Sequence, residues 1–118
     1  MNTLKIKRVY EIPSKTDGIR ILVDRLWPRG VSKKDAQIDI WDKDIAPSPD
    51  LRIWFGHKAE RFEEFSKKYQ EELQYKTNEL KEIKNMLKKS NVTLIYAAKD
   101  PKINHAIVLM KYLEDFKQ

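Results

Sequence analysis

Two short stretches of the chain combine residue types that can transfer protons or bind anions. DRLWPRG (24–30) directly follows the apolar run ILV (21–23), and KDPKINH (99–105) directly follows VTLIYAA (92–98). A carboxylate and an imidazole can act as acid and base near neutral pH. Arginine and lysine side chains bind carboxylates and phosphates. The two stretches are therefore the first candidates for a site.

The first stretch offers an acid, two guanidinium groups and an indole. Asp24 ends an apolar run, where its carboxylate needs a partner or water. Arg25 and Arg29 can bind an anion through their forked N–H groups, and Trp27 can stack on a base or a guanidinium. Gly30 would let the backbone approach a ligand closely. The alternative is an ion pair between Asp24 and an arginine that ties a turn, with Trp27 covering the core.

The second stretch offers a lysine, an aspartate and a histidine. Lys99 lies between a predicted strand and a helix start, where backbone N–H groups already favour an anion. Asp100, followed by Pro101, fits a helix N-cap better than a catalytic role. His105 can act as a general acid or base, and a half-buried, hydrogen-bonded role is equally compatible with its position.

A third segment can add two residues to the same place. His57 follows Gly56, which is expected to end a short helix, and Arg52 lies one turn earlier in that helix. Both side chains can reach a common crevice. Taken alone, His57 fits an exposed loop position better, because it stands between two helices.

The elements that would position these residues follow from hydrophobic periodicity and turn residues. The connection between the first two strands is short, which favours a hairpin. Ser48, Pro49 and Gly56 have the N-cap, first-turn and C′ preferences of a helix. The predicted strands are 4–10, 19–27, an edge-like 37–45, and 92–98; the predicted helices are about 48–56, 58–74, 78–89 and 99–116.

This order of elements predicts one small α/β domain over residues 1–118, with helices packed over a layered sheet. The strands at 19–27 and 92–98 are the most apolar, so we expect them to be central and parallel. In open α/β sheets, ligands bind at the carboxyl ends of the strands. That rule brings 24–30 and 99–105 to opposite sides of one crevice.

Composition excludes several classes of protein and site. The chain has 118 residues, no cysteine, two histidines, three glycines and a net charge of +6. Disulfides and thiol chemistry are excluded, and we predict no bound metal and no cofactor, because metal-ligand spacing and a glycine-rich phosphate loop are absent. No apolar run is long enough for a signal peptide or a membrane span, so we expect a cytoplasmic protein without a membrane partner.

Three separated motifs carry a resemblance to a known family. RILVDRLWPRG, APSPDLRIWFGH and LIYAAKDPKINHAIVL resemble, in order and spacing, the YeaO-like proteins, which are small bacterial proteins of unknown function. The resemblance implies a Rossmann-like, three-layer α/β sheet of about four mainly parallel strands, including the first two, against the hairpin expectation. The motif residues carried over are Asp24, Arg25, Trp27, Pro28, Arg29, Gly30, Pro47, Ser48, Arg52, Gly56, His57, Lys99, Asp100, Asn104 and His105.

The same resemblance bears on the chemistry. More distant members of the wider group often carry Cys-His-Arg where this chain has Asn104-His105-Ala106. The absent thiol argues against a thiol-based mechanism here and leaves His105 as the retained reactive group. The resemblance implies no activity.

Three functions remain open from the sequence. In the first, a crevice binds an anionic phosphate- or nucleotide-like ligand, with hydrolysis or group transfer by Asp24 and His105 as a possible reaction. Its anion ligands would be Arg25, Arg29, Arg52 and Lys99, supported by Trp27, Gly30, His57, Asp100 and Asn104. In the second, a non-catalytic module binds nucleic acid or a regulatory partner through the lysines of LKEIKNMLKKS. In the third, the polar turn only packs, and the protein acts through protein contacts. The oligomeric state stays open.

Overall fold

A four-stranded parallel sheet organises the chain. The computed structural model describes residues 2–117, and the strand order in that part is β1-β4-β2-β3. The strands are β1 (Leu4–Arg8), β2 (Ile19–Leu22), β3 (Ile40–Trp41) and β4 (Val92–Tyr96). The α-helices are α1 (Lys33–Ala36), α2 (Pro49–Phe55), α3 (Phe62–Leu73), α4 (Thr77–Lys89) and α5 (His105–Asp115), and 3₁₀ turns occupy Lys15–Asp17 and Ala59–Arg61. The predicted α/β fold with a parallel sheet is confirmed.

The predicted hairpin between the first two strands is wrong. β4 lies between β1 and β2 and pairs with both in parallel, so that Val92 is in register with Leu4 on one side and with Ile19 on the other. The chain returns from the end of β1 to the start of β2 through residues 9–18, which include a 3₁₀ turn. A short connection therefore spans a parallel crossover, and the resemblance predicted the strand direction better than loop length did.

The two central strands are β4 and β2, as predicted from their apolar sequences. All five residues of β4 are buried. One face of the sheet carries the larger core, in which Ile21, Leu94 and Tyr96 pack with residues of α2 to α5. The other face carries a smaller cluster built around Leu22, Ile95 and the buried Ala36 of α1. α1 is too short for a hydrophobic period and was not predicted.

A buried charge cluster lies where the chain enters β2. The Asp17 carboxylate is fully buried, with the Nζ atoms of Lys5 and Lys7 each 3.0 Å away and Arg20 Nη1 2.5 Å away. The Ser14 N–H also donates to this carboxylate, at 3.0 Å. Burial by itself would raise the pKa of the Asp17 carboxyl, but the Ser14 N–H and the three cations together hold it well below its usual range. The cluster fixes the amino end of the sheet, opposite the strand ends considered for binding.

The helix termini explain where α2 and α5 begin. Ser48 accepts a hydrogen bond from the Leu51 N–H, and Gly56 adopts a left-handed conformation at φ 54°, as the sequence predicts for α2. α5 begins at His105 instead of near residue 99, and its N-cap is Asn104 instead of Asp100. No helix in residues 2–117 is long and apolar enough to cross a bilayer.

Candidate functional site

The carboxyl ends of β2 and β4 open into one cavity, which we call the strand-end pocket. Its volume is about 680 Å³, within the range typical of small-molecule sites. Every residue that the sequence analysis placed in the site lines it, apart from Gly30. The full lining is Tyr10, Asp24–Arg29, Ala46, Pro47, Arg52, Phe55, His57, Ala59, Phe65, Ala97–Asp100 and Ile103–His105.

Asp24 and His105 meet inside this pocket. The Asp24 Oδ2 accepts a hydrogen bond from the Ala97 N–H at 3.0 Å, which joins the ends of β2 and β4. The His105 Nε2 lies 2.9 Å from the Val23 carbonyl oxygen and 3.1 Å from Asp24 Oδ1. Because a carbonyl oxygen only accepts, we assign the ring proton to Nε2. That proton is directed at Val23, so the buried Oδ1 lies beside the ring but makes no hydrogen bond within residues 2–117.

Arg25 and Trp27 are held by backbone carbonyl groups. Arg25 donates from Nε to Pro47 O at 3.3 Å and from Nη2 to Ala46 O at 3.2 Å. Trp27 Nε1 donates to Val31 O at 2.7 Å. The alternative of an Asp24–arginine ion pair is therefore not what ties this turn. Arg25 instead fastens the loop after β2 to the loop that leads into α2, which fixes two walls of the pocket relative to each other.

Three cationic side chains line the exposed part of the pocket, which we call its mouth. Arg29, Arg52 and Lys99 are exposed, and within residues 2–117 their side chains make no ion pair and no hydrogen bond. They come from three separate segments, namely the loop after β2, helix α2 and the loop after β4. His57 is also exposed there and adopts a left-handed conformation at φ 59°, which is uncommon for a residue with a Cβ.

The remaining predicted residues have structural roles. Asp100 Oδ1 accepts hydrogen bonds from the N–H groups of Lys102 and Ile103, so it stabilises a turn before α5. Asn104 is buried, caps α5 through the Ile107 N–H and donates to Asp100 O. Gly30 adopts φ 74°, and an added Cβ would meet no atom within 4 Å. The turn conformation therefore accounts for this glycine, and the close approach of a ligand stays a prediction.

Comparison with known proteins places the chain in a family. A family model described as "Inactive DUF488-N3 subclade" matches residues 3–118. The chain belongs to this family. It is 44% identical over 110 residues, 93% of its length, to the uncharacterised Escherichia coli protein YeaO, with 96% of that protein covered. It is equally similar to the uncharacterised Mycobacterium tuberculosis protein Rv3073c, of which 92% is covered. The predicted YeaO-like resemblance is confirmed, and no solved structure matches.

Sequence reasoning missed the apolar part of the pocket in this DUF488-N3 chain. Tyr10 and Leu26 are exposed at its edge, and Phe55, Phe65 and Ile103 also line it. Tyr10 follows β1 as Asp24 follows β2, so the strand-end rule would have selected it had β1 been predicted parallel. The phenylalanines carry no such signal, because a pocket wall and a core position have the same helical period.

The lysines of α4 bear on the nucleic-acid hypothesis. The nucleic-acid hypothesis depended on the lysines of α4, and Lys84 there donates to the Leu113 carbonyl oxygen at 2.8 Å. Lys84 therefore joins α4 to α5. Within residues 2–117, no group of three or more histidine, aspartate or glutamate side chains is arranged to hold a metal ion.

Proposed function

We propose that the strand-end pocket binds a small ligand carrying an anionic, phosphate- or nucleotide-like group. The observation that carries this proposal is a set of three cations on one pocket, Arg29, Arg52 and Lys99, whose side chains have no ion-pair partner in the described residues 2–117. Each comes from a different segment, so their convergence depends on the fold and is not a run of neighbouring charges. Unpaired guanidinium and ammonium groups at a concave surface are suited to phosphate or carboxylate.

The charge balance of the pocket supports an anion over a cation. Four cationic side chains line it, including Arg25, against the two carboxylates of Asp24 and Asp100. Both carboxylates already accept backbone N–H groups, so they are partly neutralised by local dipoles. A pocket with this excess raises the local concentration of anions.

The proposal is binding and not turnover. The family model carries the word "inactive". The two acid–base candidates of the pocket also have other partners. Asp24 joins two strand ends, and the His105 Nε2 is directed at a backbone carbonyl oxygen. A pocket of this kind fits a protein that senses or sequesters a small anion.

Ligand-induced thermal shift provides the test. Inorganic phosphate, adenosine monophosphate and other phosphorylated metabolites are added to the wild-type protein, and a ligand at 100 times its Kd should stabilise it by about 2.7 kcal/mol. The triple variant Arg29→Gln/Arg52→Gln/Lys99→Gln should lose the shift, because about tenfold in affinity is expected for each charge-assisted contact removed.

The matched control is Lys15→Gln/Lys33→Gln/Lys34→Gln. These three lysines are exposed, do not line the pocket, and give the same change in net charge. The control variant should keep the wild-type shift. The proposal is refuted if no anion raises the Tm, or if both triple variants respond alike.

A further inference from the structure

We propose that the ligand is an aromatic-ring phosphate of nucleotide size, with its ring against the inner wall of the strand-end pocket and its phosphate at the mouth. This inference rests on the proposed function and specifies its ligand class. It is drawn from the unequal distribution of apolar and cationic residues between the inner wall and the mouth.

The buried lining of the pocket includes an apolar, rigid part, which we call the inner wall. Phe55 is only 5% exposed, Pro47 is buried, and Ile103 is half-buried. The Trp27 indole lies on the same pocket and is fixed twice, by its hydrogen bond to Val31 O and by an edge contact with Trp41 at a ring-centroid distance of 5.4 Å. A planar ring can pack on such a surface without ordering it first, which reduces the free-energy cost of binding.

The cations of the lining are more exposed than the inner wall. Arg29, Arg52 and Lys99 are all exposed, whereas the apolar residues behind them are buried or half-buried. A phosphate held by these three side chains therefore stays near solvent. Inorganic phosphate would leave the apolar wall uncovered, and a purely apolar ligand would leave the cations unpaired. A ligand that carries both an aromatic ring and a phosphate matches the apolar and the cationic parts of the lining together.

The size of the pocket is consistent with such a ligand. A volume of about 680 Å³ lies in the middle of the range for sites that bury one small organic molecule. Tyr10, which is 49% exposed and lines the same pocket, donates a hydrogen bond from its hydroxyl to the backbone carbonyl oxygen of Arg29. An aromatic side chain is thus held next to the chain segment that carries one of the cations. Aromatic side chains and cations in one groove suit a nucleobase and its phosphate.

Calorimetric titration separates the two parts of the ligand. The probes are adenosine monophosphate, ribose 5-phosphate, inorganic phosphate and adenosine. Adenosine monophosphate should bind at least about tenfold more tightly than ribose 5-phosphate, because stacking of a base on an aromatic surface contributes that much or more. It should also bind more tightly than adenosine, and Arg29→Gln should reduce that second difference.

The possible outcomes distinguish this inference from the proposed function. Equal affinity for adenosine monophosphate and ribose 5-phosphate overturns the ring inference and leaves anion binding intact. Equal affinity for adenosine and adenosine monophosphate overturns both, because the phosphate then contributes nothing. No binding by any probe also overturns both.

Methyl NMR gives a second readout that needs no substitution in the core. The Ile103 methyl resonances should move on addition of adenosine monophosphate through the ring current of the base, and should stay in place with inorganic phosphate. Ile83, which is buried in α4 and does not line the pocket, is the reference. An Ile103 shift that is the same for both probes, or no larger than that of Ile83, contradicts a ring at the inner wall.

Discussion

Replacing Asp24 by asparagine should destabilise the fold through a conflict between hydrogen-bond donors. In the native protein, one carboxylate oxygen accepts the Ala97 N–H at 3.0 Å and the other lies 3.1 Å from His105 Nε2. An asparagine must turn its NH₂ group toward one of these two donors. His105 cannot relieve the conflict by moving its proton to Nδ1, because Nε2 also faces the Val23 carbonyl oxygen at 2.9 Å.

The magnitude follows from two changes at this side chain. If the amide oxygen keeps the Ala97 N–H, a charge-assisted hydrogen bond of about 1.5–3 kcal/mol becomes a neutral one of about 0.5–1.5 kcal/mol. The NH₂ group is then left 3.1 Å from the His105 Nε2–H without an acceptor, which costs about 1 kcal/mol more in this half-buried place. We expect Asp24→Asn to lower the free energy of unfolding by about 2 kcal/mol, which corresponds to a fall in Tm of about 7 °C for a chain of this length. Urea denaturation at pH 7 measures the first quantity, and calorimetry measures the second.

A double-mutant cycle tests the assigned cause. In a His105→Phe background the ring N–H is gone, so the cost of Asp24→Asn should fall by about 1 kcal/mol. Asp35→Asn, on an exposed aspartate of α1, is the matched control and should change stability by less than about 0.5 kcal/mol. A cost for Asp24→Asn as small as this control, or an unchanged cost without the imidazole, would refute the reasoning.

Three further predictions concern the turns and the buried carboxylate. Gly18 and Gly30 both have positive φ, but a Cβ on Gly18 would stand 2.1 Å from Asn91 O. Thermal melts should therefore show a loss of stability of about 1 kcal/mol for Gly30→Ala and a far larger loss, or failure to fold, for Gly18→Ala. Equal losses for the two variants would contradict this expectation. Asp17→Asn should cost about 3 kcal/mol at pH 7. Because the native pKa of Asp17 is lowered, this stability is present above the unfolded-state pKa of about 4 and is lost as the pH falls below it. In urea titrations, the difference in unfolding free energy between wild type and variant should be smaller at pH 3 than at pH 7. The same difference at both pH values would exclude the ion pairs as its source. His57→Gly should raise the free energy of unfolding by about 0.5 kcal/mol, because glycine adopts the left-handed conformation without strain. The same variant should show a smaller thermal shift with adenosine monophosphate. An unchanged thermal shift would show that His57 does not contribute to binding.

The sequence predicts local features of this fold well, because they depend on neighbouring residues. The start and end of α2 follow from Ser48, Pro49 and Gly56. The exposed face of α3 follows from spacing in the same way, and Glu64 and Lys68 form the expected pair at 3.6 Å. The grouping of 24–30 with 99–105 is also predictable, because it needs only that β2 and β4 be parallel and adjacent.

Features set by tertiary contacts were not predictable from the same reasoning. Nothing local indicates that β4 separates β1 from β2, and a short connection alone favours a hairpin. Arg25 has the composition of an anion ligand, but two carbonyl oxygens from a distant loop occupy it. Asp100 and Asn104 are both good caps, and only the path of the chain decides that Asn104 begins the helix. In each case a partner far along the chain determines the outcome.

The position of β4 has a consequence for how this chain is made. During synthesis, β1 and β2 leave the ribosome long before Val92–Tyr96. Until β4 arrives, β1 has no neighbour in the sheet and β2 has only the two-residue β3. The first half of the chain therefore has one unpaired strand, one open edge of β2 and only part of the future pocket. Formation of the sheet and assembly of the strand-end pocket then become the same late event, so a nascent chain acquires its binding surface only when its core closes.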